Sequence, residues 1–335
     1  MKMVTCPHCQ GRVFLAGDLP PLHEVPCSKC QHPIMMPAML RQFELRSIIA
    51  SGGMGTVFRA WDTMLEREVA VKLMKHEFAQ DPKAVLNFVI EARACAQLNH
   101  TNIIHIYTFD EHEQDRYLVM ELAAAGCLDA MIERQGRIAE LDVLDVGIKL
   151  AGALATALKH GLLHLDIKPG NILFNSDGEP KLVDFGLSRK ADADADLYAP
   201  IFGTPYYIAP ERVRQEGDTF KSDLYSLAGT LYHALTGHVP FEAATVEEVV
   251  AAHISTALRP AHELVPGITV GTSEALSRAM AKDPAQRHGS YDEFILALTA
   301  ARSQLLVSQF APQATVDAQT GEVVADGGRK SWWRR

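Results

Sequence analysis

The sequence predicts an α+β protein in which a small cysteine-bearing module precedes a larger domain, strand-rich in its first part and helical in its second. Three observations support this prediction. The 335 residues suffice for about two folding units. Four of the six cysteines fall within the first thirty residues. Strand-like segments between residues 45 and 71 give way to a long helical segment over residues 140–159.

The charge balance of the chain disfavours several classes of function. Lys and Arg number 32 against 41 Asp and Glu, a net charge of -9, which argues against binding to nucleic acid or to an anionic membrane surface. The uncharged stretch 224–241 contains two histidines, Gly237 and Pro240, so it predicts a buried helix and loop rather than a membrane span. Residues 1–12 lack the apolar segment of a signal peptide. We therefore expect no transmembrane segment and a cytoplasmic protein.

The start of the chain carries two Cys-x-x-Cys pairs, Cys6 with Cys9 and Cys27 with Cys30. Seventeen residues separate the pairs, a spacing typical of four-thiolate zinc sites. The spacing also leaves two disulfides or a redox pair open, but no secretion signal or strand-helix context supports either. The segment resembles the small zinc ribbons, so residues 1–35 are expected to form a ribbon-like module around a structural Zn²⁺.

A glycine cluster marks the start of the larger domain. Residues 36–42 contain proline and methionine and are expected to be a short linker. From residue 43, two apolar strand-like stretches flank the run Gly-Gly-Met-Gly at residues 52–55. Glycines let a backbone approach a ligand closely, although this pattern alone also fits a hairpin turn.

A lysine-bearing strand and a helix follow. Residues 69–72 have strand character and end in Lys72. Asp81 followed by Pro82 predicts the N-cap and first residue of a helix. That helix carries Glu91, a candidate ion-pair partner for Lys72.

The remaining motifs follow the predicted helix 140–159. In the first of them, Asp166, Lys168 and Asn171 place a base, a cation and a metal ligand on one loop. In order, the motifs read His164-Leu165-Asp166-Ile167-Lys168-Pro169-Gly170-Asn171, Lys181-Leu182-Val183-Asp184-Phe185-Gly186 and Gly203-Thr204-Pro205-Tyr206-Tyr207-Ile208-Ala209-Pro210-Glu211.

Taken in this order, the motifs resemble those of the eukaryotic-type serine/threonine protein kinases, and the Gly-Gly-Met-Gly run is similar to that of the bacterial members. The resemblance covers residues 43–302. It implies a bilobal protein-kinase fold, with a small β-rich N-lobe over about 43–122 and a larger helical C-lobe over about 123–302. It also implies Mg²⁺-dependent transfer of the γ-phosphoryl group of ATP to Ser and Thr hydroxyls of protein substrates.

The resemblance assigns an ATP-binding role to residues of several motifs. Gly52 and Gly55 would cover the phosphates, and Lys72, held by Glu91, would contact them. Further residues would form the rest of the glycine loop, enclose the adenine ring, or supply the gatekeeper and the hinge. They are Ala50, Val57, Ala70, Met120, Glu121, Ala123 and Leu173.

The same resemblance assigns the chemistry to four residues. Asp184 and Asn171 would ligate Mg²⁺ or Mn²⁺, which prefer hard oxygen ligands. Asp166 would accept or orient the proton of the substrate hydroxyl, and Lys168 would neutralise the γ-phosphoryl oxygens.

Three more charged residues are expected to support this site rather than react. Asp223 would anchor the backbone of the catalytic loop. Glu211 and Arg287 would form a bidentate ion pair in the C-lobe.

Two positions depart from the family pattern. Ala50 stands where a first glycine is usual, so we expect an altered nucleotide affinity. Leu165 stands where an arginine usually receives an activation-loop phosphate, and residues 191–202 contain no Ser or Thr. Activity is therefore expected not to require phosphorylation of that segment.

The ends of the chain suggest roles in recruitment. The first module has only Lys2, Arg12 and Lys29 as fixed cations, so a protein partner or a second copy is favoured over nucleic acid. Residues 303–335 lose periodicity and are expected to be a disordered tail. An alternative function is a pseudokinase scaffold that binds nucleotide and recruits partners through its zinc ribbon. The presence of every charged group that the chemistry needs disfavours this alternative.

Overall fold

Four short strands form the cysteine-bearing module. The structure is a computed structural model that describes residues 2–6, 8–16, 22–52, 55–113, 115–185, 189–190, 205–310, 314–316 and 323–325. The strands β1 (Lys2–Thr5) and β2 (Arg12–Leu15) form one antiparallel hairpin, and β3 (Glu24–Pro26) and β4 (Pro33–Met35) form another. Between them lies a small apolar cluster of Cys6, Val13, Leu15, Cys27, Ile34 and Met36.

A six-stranded antiparallel sheet follows and forms the body of the small lobe. Its strands are β5 (Ala38–Leu40), β6 (Phe43–Ser51), β7 (Gly55–Asp62), β8 (Arg67–Met74), β9 (Ile106–His112) and β10 (Asp115–Met120), in the order β5-β6-β7-β8-β10-β9. Helix α1 (Pro82–Ala96) packs on this sheet through Phe88 and Ala92. As predicted, α1 begins after Asp81, whose carboxylate accepts a hydrogen bond from the amide of Lys83.

The residues expected to form a linker, 36–42, are instead part of the folded structure. Strand β5 pairs with β6, with Leu40 opposite Phe43. Leu40 is buried in the core of the sheet, as is Met35, whereas its neighbour Met36 is buried in the core of the cysteine module. The apolar side chains of this short segment are thus shared between two cores, which fixes it in place.

Eight helices form the larger lobe as the structure describes it. They are α2 (Leu128–Gln135), α3 (Glu140–Lys159), α4 (Pro210–Val213), α5 (Phe220–Thr236), α6 (Val246–Ser255), α7 (Ala261–Leu264), α8 (Val270–Ala279) and α9 (Tyr291–Phe310). The predicted helix 140–159 is confirmed as α3, which packs with α5 and α9 around the main core. Among the described helices, none has the length and apolar character needed to cross a bilayer.

Short strands and turns carry the loops that face the small lobe. Strands β12 (Ile172–Phe174) and β13 (Pro180–Leu182) form a hairpin. A second pair is β11 (Leu162–Leu163) with β14 (Arg189–Lys190). Short 3₁₀ helices span His76–Phe78, Pro169–Asn171, Pro205–Tyr207 and Pro284–Gln286.

The segment from residue 303, predicted to be a disordered tail, is helical at its start. Helix α9 continues to Phe310 because Ala301 and Leu305 still pack against the main core. Beyond it, β15 (Ala314–Val316) and β16 (Val323–Ala325) pair antiparallel. The basic end of the chain, residues 329–335, lies outside the described residues.

Candidate active site

A cavity of about 440 Å³ lies between the sheet and the helical lobe. Strands β6, β7 and β8 form its upper wall, and the segment around β12 and Asp184 forms its lower wall. Most of the residues predicted to bind the nucleotide line it: Ala50, Gly52, Gly55, Val57, Lys72, Met120, Asn171, Leu173 and Asp184. Motifs that are more than a hundred residues apart in the sequence therefore meet at one site.

Several residues of the cavity wall were not predicted from the sequence. Asn87 lies one helical turn before Glu91 on α1, and Val183 directly precedes Asp184, so local spacing could have suggested both. The other unassigned wall residues are Cys95, Ile104, Ile106, Leu118 and Gly170. Their apolar character alone does not distinguish a cavity wall from a core.

Gly52 and Gly55 lie in the upper wall, where β6 ends and β7 begins. The amide of Gly52 donates to the carbonyl oxygen of Gly55 at 3.0 Å. A Cβ atom on Gly55 would lie 2.9 Å from the carbonyl oxygen of Leu73 on β8, so a side chain there would push the strands apart. Gly53 and Met54 lie outside the described residues.

Lys72 projects from β8 into the cavity. Its Nζ lies 3.8 Å from Oδ1 of Asp184, and its side chain is mostly buried. Glu91 lies on α1, but its side chain is not among those that the structure describes. The predicted Lys72–Glu91 pair therefore remains a prediction, and the described ion pair joins Lys72 to Asp184.

Asp166 is held by two donors from its own loop. Nζ of Lys168 donates to Oδ2 of Asp166 at 2.8 Å. Nδ2 of the Asn171 side chain donates to the carbonyl oxygen of Asp166 at 2.8 Å and to Oδ2 of Asp166 at 3.0 Å. The loop therefore brings together the three side chains that the sequence placed in one motif, and Asn171 links Asp166 to the cavity.

The backbone before Asp166 is anchored from the helical lobe. The carboxylate of Asp223 accepts hydrogen bonds from the amides of His164, at 2.7 Å, and Leu165, at 2.8 Å. The predicted anchoring role of Asp223 is thus confirmed. Burial raises the pKa of this carboxyl, and the neighbouring His164 and the two amides oppose that rise by stabilising the charged form.

Asp184 adopts an unusual backbone conformation that turns its carboxylate toward the cavity. Its φ of 68° lies in the left-handed region, which non-glycine residues occupy only where neighbours enforce it. On one side, the amide of Val183 donates to the carbonyl oxygen of Asn171 at 3.0 Å. On the other side, Phe185 is fully buried with its ring 4.5 Å from that of His164.

Three residues predicted to contact the nucleotide are not part of the described cavity wall. Ala70 is buried in the sheet opposite Met120. The carboxylate of Glu121 points away, because it pairs with Nζ of Lys181 at 2.6 Å. Ala123 follows in the connection to α2. The backbone amide of Glu121 donates to the carbonyl oxygen of His105 at 2.9 Å, so its own carbonyl oxygen is the Glu121 backbone group left for a contact with the base.

The four cysteines of the first module form a second site. Their Sγ atoms lie within 4.8 Å of one another, with Cys6 3.6 Å from Cys30 and Cys9 3.8 Å from Cys27. Four sulfurs at the ~2.3 Å bond length of a tetrahedral zinc site would be about 3.8 Å apart. The geometry therefore fits a metal ion and not a pair of disulfides, whose sulfurs would be about 2 Å apart.

Two matching turns present these sulfurs. Each Cys-x-x-Cys pair is followed by a residue with positive φ, Gln10 at 57° and Gln31 at 63°. Burial raises the pKa of the Cys27 thiol, but the amides of Lys29 and Cys30 and the thiols of Cys30 and Cys6 outweigh it and lower the pKa to about 7. The amide of His32 lowers the pKa of the Cys30 thiol, but burial and the neighbouring thiols outweigh it and raise the pKa to about 12. The neighbouring thiols therefore titrate as a coupled set.

Comparison with known proteins places this geometry in a family. The sequence-family model of the protein kinase domain matches residues 43–295 of this chain. Serine/threonine-protein kinase PknA of Mycobacterium tuberculosis is 34% identical over 310 residues, which cover 88% of this chain and 71% of the relative. PknL of the same species is 34% identical over 270 residues, 80% of this chain and 68% of the relative. A probable serine/threonine-protein kinase, PknB of Bifidobacterium longum, is 35% identical over 265 residues, 76% of this chain and 38% of the relative.

Proposed function

Since this chain belongs to the protein kinase family, we propose that it transfers the γ-phosphoryl group of ATP to Ser and Thr hydroxyls of other proteins, using the cavity between its lobes. One observation carries the proposal. Lys72, Asp184 and Asn171 line a single cavity, and Asn171 is hydrogen-bonded to Asp166 at its edge. This set comprises a phosphate-binding cation, two oxygen ligands for a metal ion and a base.

The cavity fits ATP in both size and chemistry. Its volume of about 440 Å³ falls within the range of small-molecule sites. Val57, Leu118 and Leu173 give it apolar walls suited to a flat base, while Lys72 supplies positive charge for the phosphates. Gly52 and Gly55 above it have no side chains that would keep a phosphate from their backbone.

Asp184 and Asn171 are the residues that would hold Mg²⁺ or Mn²⁺. Nδ2 of the Asn171 side chain donates to Asp166, which leaves Oδ1 of Asn171 as the ligating atom. Together with the half-exposed carboxylate of Asp184, this gives hard oxygen donors of the kind that Mg²⁺ prefers. When bound, the ion neutralises charge on the phosphates of ATP.

Asp166 is the residue that would receive the proton of the attacking hydroxyl. Its carboxylate is only 11% exposed and is fixed by Lys168, so little reorganisation is needed when a hydroxyl docks beside it. Lys168, two residues after Asp166, also matches the serine/threonine class. Thr204, which the resemblance places beside both, lies outside the described residues.

An aspartate variant tests the metal-binding part of this proposal. Asp184→Asn removes a negative oxygen ligand but keeps the side-chain volume, so phosphoryl transfer is expected to fall about 100-fold and the Mg²⁺ concentration for half-maximal rate to rise. Rates are measured with labelled ATP across a Mg²⁺ titration. Asp177→Asn, on the exposed β12–β13 turn, is the control and should match the wild type. An Asp184→Asn protein with an unchanged Mg²⁺ profile would remove Asp184 from this role.

We also propose that the cysteine module binds one structural Zn²⁺ and recruits a protein partner or a second copy of the chain. Its few cations disfavour nucleic acid as the partner. An ATP-dependent reaction and a four-thiolate site both favour the cytoplasm as the compartment.

Loss of the metal is expected to unfold residues 1 to about 35 and to leave phosphoryl transfer within about threefold of the wild type, because no described residue of that module lines the nucleotide cavity. Cys9→Ser should abolish zinc binding measured by elemental analysis, whereas Cys127→Ser, at the start of α2, should retain one zinc per chain. Protein purified without chelator that contains no metal and has four titratable thiols in the module would contradict this proposal.

A further inference from the structure

The residue before Asp166 is held in a strained conformation. Leu165 has a φ of 66°, in the left-handed region that a leucine adopts only when its surroundings impose it. Its side chain is 3% exposed and apolar, so it cannot itself hold a charged group. The polar contacts that hold the loop at this point are therefore made to its backbone.

Those contacts hold the peptide unit between Leu165 and Asp166 at both ends. The carbonyl oxygen of Leu165 accepts a hydrogen bond from Nη1 of Arg212 at 2.5 Å. The amide of Asp166 donates to Nδ1 of His164 at 3.2 Å. Because this peptide plane sets the direction in which the Asp166 side chain leaves the backbone, its orientation determines where the carboxylate lies.

Arg212 is itself fixed before it reaches the loop. Its Nε donates to Oδ1 of Asp218 at 3.1 Å, and the two side chains are only 16% and 19% exposed. Its neighbour on α4, Glu211, is paired with Arg287 at 2.7 Å. A guanidinium stays charged at all physiological pH values, so this contact does not switch with pH.

We propose that Arg212 is a positioning residue for phosphoryl transfer: by holding the carbonyl oxygen of Leu165, it fixes the peptide that orients Asp166. This inference rests on the proposed function of Asp166. The hydrogen bond from Arg212 also orders the loop before Asp166 without a contribution from residues 191–202. The loop before Asp166 is tied to α4 and α5 by Arg212 and Asp223, and no phosphate is needed for this link.

The test compares Arg212→Ala with Arg212→Lys and with Arg214→Ala as the matched control. Arg214 lies two residues further on, 3.8 Å from Glu216, and donates a long hydrogen bond of 3.4 Å to the carbonyl oxygen of Ile254, away from the loop. Arg212→Ala is expected to lower kcat about 20-fold and to change KM for ATP less than about threefold, because Arg212 does not line the cavity. Arg212→Lys, which can still donate to the carbonyl, should recover to within about fivefold, and Arg214→Ala should be unchanged.

Hydrogen exchange separates this inference from the proposed function. Amides in a peptide covering residues 162–168 should exchange faster in Arg212→Ala than in the wild type, whether or not the wild type transfers phosphate. An Arg212→Ala protein with wild-type kcat and unchanged exchange would overturn the inference.

If that variant does not fold, Asp218→Asn serves instead, with an expected loss in kcat of about threefold and the same exchange readout. A loss of more than about tenfold in wild-type activity after phosphatase treatment would contradict phosphate-independent order.

Discussion

Replacement of Asp166 by asparagine is expected to reduce phosphoryl transfer about 1,000-fold while leaving the fold intact. The substitution removes the negative charge that accepts the hydroxyl proton but preserves side-chain volume. The contacts from Lys168 and Asn171, at 2.8 and 3.0 Å, show that this carboxylate sits at the centre of the loop and not at its surface. The loss should therefore appear in kcat, with little change in KM for ATP.

The measurement is initial-rate transfer from labelled ATP at saturating Mg²⁺. Circular dichroism and thermal unfolding report whether the variant is folded. Asp177→Asn provides the control for a neutralised carboxylate at an exposed position. A folded Asp166→Asn protein that transfers phosphate at the wild-type rate would exclude Asp166 as the base.

Replacement of Arg287 by methionine is expected to lower the free energy of unfolding by about 3–5 kcal/mol. Both side chains of the Glu211–Arg287 pair are nearly inaccessible to solvent, and two parallel contacts of 2.7 Å join them. Arg287 also donates to the carbonyl oxygens of Lys221 and Ala281. Without the guanidinium, the Glu211 carboxylate is left buried and unpaired, a large cost against the ~5–15 kcal/mol that stabilise a typical domain.

Urea unfolding of the full chain, followed by circular dichroism, measures this effect. Arg278→Met is the matched control, because Arg278 contacts Glu293 at the same 2.7 Å distance but with about half of each side chain exposed. That surface pair should contribute no more than about 1 kcal/mol. The double variant Glu211→Gln with Arg287→Met should recover part of the loss. A loss below about 1 kcal/mol for Arg287→Met alone would contradict the structural role of the pair.

Local signals predicted much of the fold. The N-cap at Asp81 and the helix over residues 140–159 were readable because capping chemistry and apolar spacing act within a few residues. The motif order also predicted which residues meet at the cavity, from Gly52 to Asp184. These are the parts of the site whose chemistry requires a particular residue type.

Contacts between distant segments that belong to no motif were not readable. The hydrogen bond from Arg212 to Leu165 joins residues 47 positions apart and depends on a backbone conformation that leucine does not favour. Strand β5 was missed because three residues beside a proline give too short a pattern to distinguish a strand from a connector. Glu121 was assigned to the hinge through its backbone, and the pairing of its carboxylate with Lys181 became visible only in three dimensions.

The central claim is that this chain transfers phosphate from ATP to Ser and Thr. The most direct measurement incubates the full chain with labelled ATP and a generic basic protein, with and without Mg²⁺, and maps the phosphorylated residues by mass spectrometry. If the chain has this activity, phosphoserine and phosphothreonine should appear on the substrate, and only when Mg²⁺ is present. ATP binding without any transfer, or phosphate found only on tyrosine, would contradict it.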